Sequence, residues 1–174
     1  MAVVQRIGLR PDRVARRNAT CEATEKAETD TIRNRRCDAN HAWIVGSSGT
    51  LLQWDGTVWG AESIGGYTTK LLGIGGSDAT HLWSVGEGGM ILAGDGTTSR
   101  RMPASTGAAL YSVTATDATH AWIAGAGGTV LSWNGTRWTP QASGADNTLY
   151  GIWGSDISHL WTVGQNGTIL EKLR

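Results

Sequence analysis

Asp117-Ala118-Thr119-His120-Ala121-Trp122-Ile123-Ala124-Gly125 is one of four copies of a single phrase. The others are Asp38-Ala-Asn-His41-Ala-Trp43-Ile-Val-Gly46, Asp78-Ala-Thr-His81-Leu-Trp83-Ser-Val-Gly86 and Asp156-Ile-Ser-His159-Leu-Trp161-Thr-Val-Gly164. The histidines stand 40, 39 and 39 residues apart. Each copy continues into Gly, then Thr or Met, then an aliphatic residue and Leu, and three copies run on into Asp/Asn-Gly-Thr. A phrase this long at a fixed spacing marks a tandem repeat, in which each unit buries its apolar face against its neighbours.

Within a unit the residues predict four short strands. Leu149-Tyr-Gly-Ile-Trp153 is apolar and runs into the turn signal Gly-Ser-Asp156; this is strand A. His159-Leu-Trp-Thr-Val163 alternates with aromatic and β-branched residues, as a half-buried strand does, and is strand B. A Gly-x-x-Gly turn such as Gly125 to Gly128 leads to strand C, Thr129 to Trp133. Asn134-Gly135 and Asp55-Gly56 are expected as type I′ hairpin pairs, with both central residues at positive φ, and strand D opens at Arg137-Trp138-Thr139 and closes at Pro140. Four strands in about 40 residues is the period of a propeller blade. The predicted fold is all-β: a partial β-propeller of four blade positions, each a four-stranded antiparallel sheet, over residues 37–66, 71–104, 109–144 and 149–174.

Working outward, the first and last units come out incomplete. The fourth stops in strand C, at Leu170-Glu-Lys-Leu-Arg174. Strand A of the first unit should fall near 31–37, where the text is Thr-Ile-Arg-Asn-Arg-Arg-Cys37, too charged to match its apolar counterparts. Four blade positions leave an open arc with edge strands and apolar faces. A homo-oligomer answers this, since two chains supply eight positions; so does a fragment of a longer propeller.

Composition sharpens a boundary at residue 37. Residues 1–36 carry nine basic and five acidic side chains, and residues 37–174 six and ten. All nine Trp lie after residue 36. Residues 1–36 therefore read as a basic N-terminal extension, poorly ordered or partly helical. The acidic repeat region argues against a nucleic-acid partner. Cys21 and Cys37 lack zinc or redox spacing. There is no run of 18 apolar residues to span a membrane and no apolar core of a signal peptide before Cys21, so the compartment stays open.

The repeat resembles bacterial propeller repeats related to the photosystem II assembly-factor family, and the wider WD/YVTN-like class. It is also similar to a degenerate BNR or Asp-box repeat through Asp55-Gly-Thr-Val-Trp59 and Asn134-Gly-Thr-Arg-Trp138. The second unit departs from that pattern, with Thr97-Thr-Ser-Arg100 in place of the closing Trp. The resemblance implies a propeller; related repeats are often found in exported proteins, which leaves the compartment of this one unassigned. An Asp-box hydrolase or lyase would need clustered arginines, and the repeat region offers only Arg100, Arg101, Arg137 and Arg174.

The chemistry reads as structural. Asp38/His41, Asp78/His81, Asp117/His120 and Asp156/His159 are expected to lock the A–B turn, because ligands on four blades cannot converge on one metal. Trp43, Trp83, Trp122 and Trp161 share one strand position and are expected in the core. Trp153 stands apart, with Gly75 and Ala115 taken as its equivalents. No catalytic residue, metal set or cofactor motif is assigned. The A–B and C–D turns share one face and repeat faithfully; the B–C turns and D–A loops share the other and vary. Tyr67, Lys70, Glu87, Gln165 and Asn166 on the variable side, with Trp153, are the candidate binding residues. The expected function is a non-catalytic binding or scaffold module for an unknown protein or glycan. The alternatives are a truncated propeller without independent function, and an Asp-box-type glycoside hydrolase or lyase relative.

Overall fold

A computed structural model describes residues 22–24, 33–36 and 38–171. Cys21, Cys37, Arg174 and most of the N-terminal extension lie outside the described residues. The first repeat contributes β1 (Glu22–Thr24), β2 (Arg33–Arg36), β3 (Ala42–Val45), β4 (Leu51–Trp54) and β5 (Trp59–Ala61). The second contributes β6 (Leu71–Asp78), β7 (His81–Gly86), β8 (Ile91–Gly94) and β9 (Ser99–Arg101). The third holds β10 (Leu110–Ala115), β11 (Ala121–Gly125), β12 (Val130–Trp133) and β13 (Trp138–Gln141). The fourth holds β14 (Leu149–Asp156), β15 (His159–Gly164) and β16 (Ile169–Glu171). Each repeat is one antiparallel sheet whose spatial order equals its sequence order. The innermost strands pack in succession, β2 on β6, β6 on β10 and β10 on β14.

The hydrophobic core lies between sheets. Because side chains alternate across a strand, each sheet offers one apolar face forward and one backward. Trp43, Val45 and Leu51 meet Leu71, Ile74, Leu82 and Leu92 of the second sheet. Trp83, Val85 and Ile91 meet Val113, Ile123, Leu131, Trp133 and Trp138 of the third. Trp122, Ala124 and Val130 meet Leu149, Ile152, Leu160 and Leu170 of the fourth. Polar ties run alongside: Gln53 Nε2 donates to Gly96 O at 2.6 Å, and the Ser99 hydroxyl donates to Glu62 at 2.6 Å. Burial raises the Glu62 carboxyl above its usual range, partly offset by that Ser99 bond.

The first sheet differs from expectation at its inner edge. Arg33–Arg36 pairs with β3, Arg33 opposite Val45 and Arg36 opposite Ala42, and β1 pairs beyond it. Both strands precede residue 37, where the repeat domain was expected to start. Ladder hydrogen bonds join backbone groups only, so a charged segment can complete a sheet that its side chains do not announce. The fourth sheet has three strands among the described residues, as its text implies.

The register also corrects an equivalence. Gly75, Thr114 and Trp153 lie opposite the repeated Trp83, Trp122 and Trp161, so Thr114, and not Ala115, matches Trp153. At Gly75 an added Cβ would lie 2.2 Å from the carbonyl oxygen of Val113, because the next sheet's inner strand runs directly against the backbone there. Trp153 occupies the corresponding place on the fourth sheet, 61% exposed.

Candidate functional site

The A–B turns are built alike. In each, the His Nδ1 lies 2.8–3.0 Å from the Asp carboxylate three residues earlier. An ionised carboxylate only accepts, so Nδ1 carries the hydrogen and Nε2 is turned away. The same carboxylates accept the backbone N–H two residues on, from Asn40, Thr80, Thr119 and Ser158. Three of the histidines also stack over the Trp two residues later: His41 on Trp43, His120 on Trp122 and His159 on Trp161. Among the described residues no three His, Cys, Asp or Glu side chains gather to hold a metal ion.

The C–D turns are not the expected type I′ pairs. Gly56 and Gly135 take positive φ but Asp55 and Asn134 do not. Four-residue loops join Trp54 to Trp59 and Trp133 to Trp138, because the Asp or Asn side chain caps the turn instead. Asp55 accepts from Thr57 N, Thr57 Oγ1 and Val58 N, and Asp95 accepts the same set from Thr97 and Thr98. Asn134 does so through its amide oxygen with Thr136 and Arg137. The Trp54 and Trp133 indoles each donate back to the A–B turn, to Ala39 O and Ala118 O at 3.2 Å. The Asp-box-like residues are therefore turned inward on their own hairpins.

These bonds set the acid limit of the fold. The Val58 N–H and the Thr57 hydroxyl and N–H hold Asp55 at about 2, and Thr98 and Thr97 hold Asp95 well below the carboxylate range. Burial opposes ionisation of Asp117, but bonds from Thr119 and His120 outweigh it and leave it at about 2; Asp78 is lowered likewise. His41 and His159 lower Asp38 and Asp156. A depressed folded value stabilises the fold above the unfolded value of about 3.9, and that contribution is lost as pH falls toward the folded value. The melting temperature is expected to hold from neutral pH to about 5 and to fall between about 4 and 2. Asp55→Asn keeps the acceptor, as Asn134 does, so it should leave the neutral melting point unchanged and shrink the acid loss. Melting curves across that range check both.

The candidate binding residues separate into groups. Tyr67 is exposed with the Arg101 guanidinium 5.4 Å from its ring centre. Nearby, Lys70 O accepts from Glu87 N at 3.1 Å. Gln165 N donates to Thr148 O, and Asn166 adopts φ 57, a left-handed turn position that Asn tolerates. These five sit on B–C turns and D–A loops. Trp153 does not join them: it lies on β14 with its ring stacked on Trp161, centres 5.5 Å apart.

The apolar face that an open arc leaves lies around Trp153. Val45 and Val85 are 0% exposed, yet Val163 at the same position is 49% exposed. Leu51 and Ile91 are 3% and 0% exposed, yet Ile169 is 72% exposed. The forward face of the fourth sheet thus presents core-type residues to solvent. Behind it, between the third and fourth sheets, runs a groove of about 480 Å³. Val130, Ser132 and Gln141 line one wall, and Leu160, Thr162 and Leu170 the other. The buried Thr162 hydroxyl has no hydrogen-bond partner among the described residues. The repeat pattern could have flagged the face, since Trp161, Val163 and Ile169 meet no following sheet among the described residues.

No protein-family model matches the sequence, and no curated protein does. Solved structures do. The chain is similar to "YCF48 bound to D1 peptide", with a TM-score of 0.61 and 19% identity over 88% of this chain and 56% of that one. It is similar to YCF48 from Cyanidioschyzon merolae, with a TM-score of 0.58 and 17% identity over 77% of this chain and 49% of that one. It also resembles the Cps50 (Swd1) β-propeller domain of Myceliophteria thermophila, with a TM-score of 0.62 and 14% identity over 86% and 54%. At these identities the likeness is one of fold: the chain is a β-propeller arc. It spans about half the length of the propellers it matches.

Proposed function

We propose that this chain is a non-catalytic protein-binding module whose partner docks on the fourth sheet. One observation carries the reading: Val163 and Ile169, 49% and 72% exposed, stand where the first two sheets bury their counterparts. Apolar surface of this kind marks an interaction site. Trp153 adds an aromatic anchor of the type that dominates interfaces. Gln165 and Asn166 flank the same sheet on its loop side, while Tyr67, Lys70 and Glu87 lie two sheets away and would touch only a large partner. The propeller neighbours support the reading in kind, since one of them holds a peptide. The Asp–His pairs and Asp-box-like turns are occupied with their own hairpins, which favours binding over hydrolysis.

A second reading is supported by the share of the neighbours that is matched, 49–56%: the arc is part of a larger ring, completed by further sheets or by a second copy. Panning a displayed library of random peptides on the immobilised chain, with light scattering on the same sample, separates the two. The binding reading expects selected peptides that are lost on Ile169→Asp, a change at an exposed position that should leave the melting point intact. A stable dimer whose contact is broken by Ile169→Asp would favour ring completion. Peptides that bind wild type and Ile169→Asp equally would overturn the proposed surface.

A further inference from the structure

Resting on the protein-binding reading, we infer that the groove between the third and fourth sheets takes an extended peptide of a partner protein, which adds to β16 as the fourth strand and sends an aromatic side chain into the groove. The molecule displays the equivalent arrangement one sheet earlier. There β13 pairs with β12, Trp133 opposite Trp138, and both indoles press on Trp83 of the second sheet with centres 4.7 and 4.9 Å away. At the next junction Trp122 replaces Trp83, and β15 and β16 replace β11 and β12. Lys172 follows Glu171 where Trp133 follows Ser132. Among the described residues β16 has no outer neighbour, so its outer backbone groups are open to a strand.

The groove fits such a side chain. Its volume of about 480 Å³ lies within the range of sites that hold small ligands. Its deep wall is apolar, through Leu160 and Leu170, and continuous with the core between the two sheets. Its outer wall is polar where the second sheet is apolar: Ser132 and Gln141 take the places of Ala93 and Met102. Gln141 Nε2 donates to Ser132 Oγ at 2.9 Å, which leaves its amide oxygen available. Thr162, 9% exposed, points an unpartnered hydroxyl into the same space. A buried hydroxyl without a partner is costly, and an indole or phenol arriving there supplies one. The occupant is therefore an extended segment with Trp or Tyr one residue before the position opposite Glu171, as Trp138 precedes Thr139.

The probe is a fluorescein-labelled peptide with the sequence of residues 137–142, Arg-Trp-Thr-Pro-Gln-Ala, titrated into the full chain and followed by anisotropy. Saturable binding is expected, weakened roughly 30-fold when its Trp is replaced by Ala. Amide exchange at Ile169–Glu171 should slow on binding. Thr162→Phe fills the groove and should abolish binding. Gln141→Trp fills it from the exposed wall and keeps the test sound should Thr162→Phe not fold. Absence of binding, or binding indifferent to the peptide's Trp and to Gln141→Trp, would overturn the inference. So would β16 amides already protected in a dimer, which would assign the groove to a second copy. Library peptides that need Ile169 but ignore Gln141→Trp would leave the protein-binding reading standing while this one falls.

Discussion

Trp83→Ala is expected to lower the unfolding free energy by about 3–5 kcal/mol, the cost of removing a large buried aromatic from a packed core. Trp83 is 6% exposed and is gripped by Trp133 and Trp138 of the next sheet in edge-on contacts. Such aromatic pairs contribute about 0.5–1.5 kcal/mol beyond the area they bury. The site cannot collapse to fill the gap, because sheets on both sides are held by their own ladders. The location matters as much as the size. In a linear array each unit is stabilised by its nearest neighbours, and this junction joins the first half of the arc to the second. Urea unfolding should therefore show a lower midpoint together with a shallower transition, as the two halves begin to unfold separately. Trp161→Ala should cost clearly less, since among the described residues no following sheet covers it and its ring partners are Trp153 and His159 of its own sheet. Equal losses for the two substitutions would contradict the stacked-sheet account of the core.

The second large effect falls on a glycine. Gly128 adopts φ +66, and a Cβ there would lie 1.6 Å from the carbonyl oxygen of Ala145. Gly128→Ala therefore carries two penalties. The left-handed backbone costs about 1–2 kcal/mol for a residue with a side chain. Displacing the D–A loop costs on the order of 1–3 kcal/mol more, as overpacking does elsewhere. Gly167 supplies the internal control. It has the same backbone, φ +72, but nothing lies within 4 Å of its Cβ, because no D–A loop follows the fourth sheet among the described residues. Gly167→Ala should then show only the backbone part, about 1–2 kcal/mol. The difference between the two variants, measured by thermal and urea melts, reads the presence of a packed loop at one end of the arc and its absence at the other. A matching loss at Gly167 would mean that something covers the fourth sheet in solution, and would point to the second copy as the occupant.

The amino-acid sequence by itself determined the repeat, the strands of the second to fourth units and the chemistry of their turns. Those features are local: the period-2 alternation of His159-Leu-Trp-Thr-Val163, the positive φ of Gly56 and Gly135, and the bonds from Thr to Asp or Asn that close the C–D hairpins all act within a few residues. Tertiary structure alone decided three other things. It placed Arg33–Arg36 in the first sheet, because backbone pairing is indifferent to side-chain charge. It set Trp153 opposite Trp161 and matched it to Thr114, because equivalence follows the ladder and not the residue type. And it made Ile169 surface where Ile91 is core. The two isoleucines occupy the same position in the same phrase; only the presence of a following sheet distinguishes them, and burial is a property of what lies across the gap, which no single unit encodes.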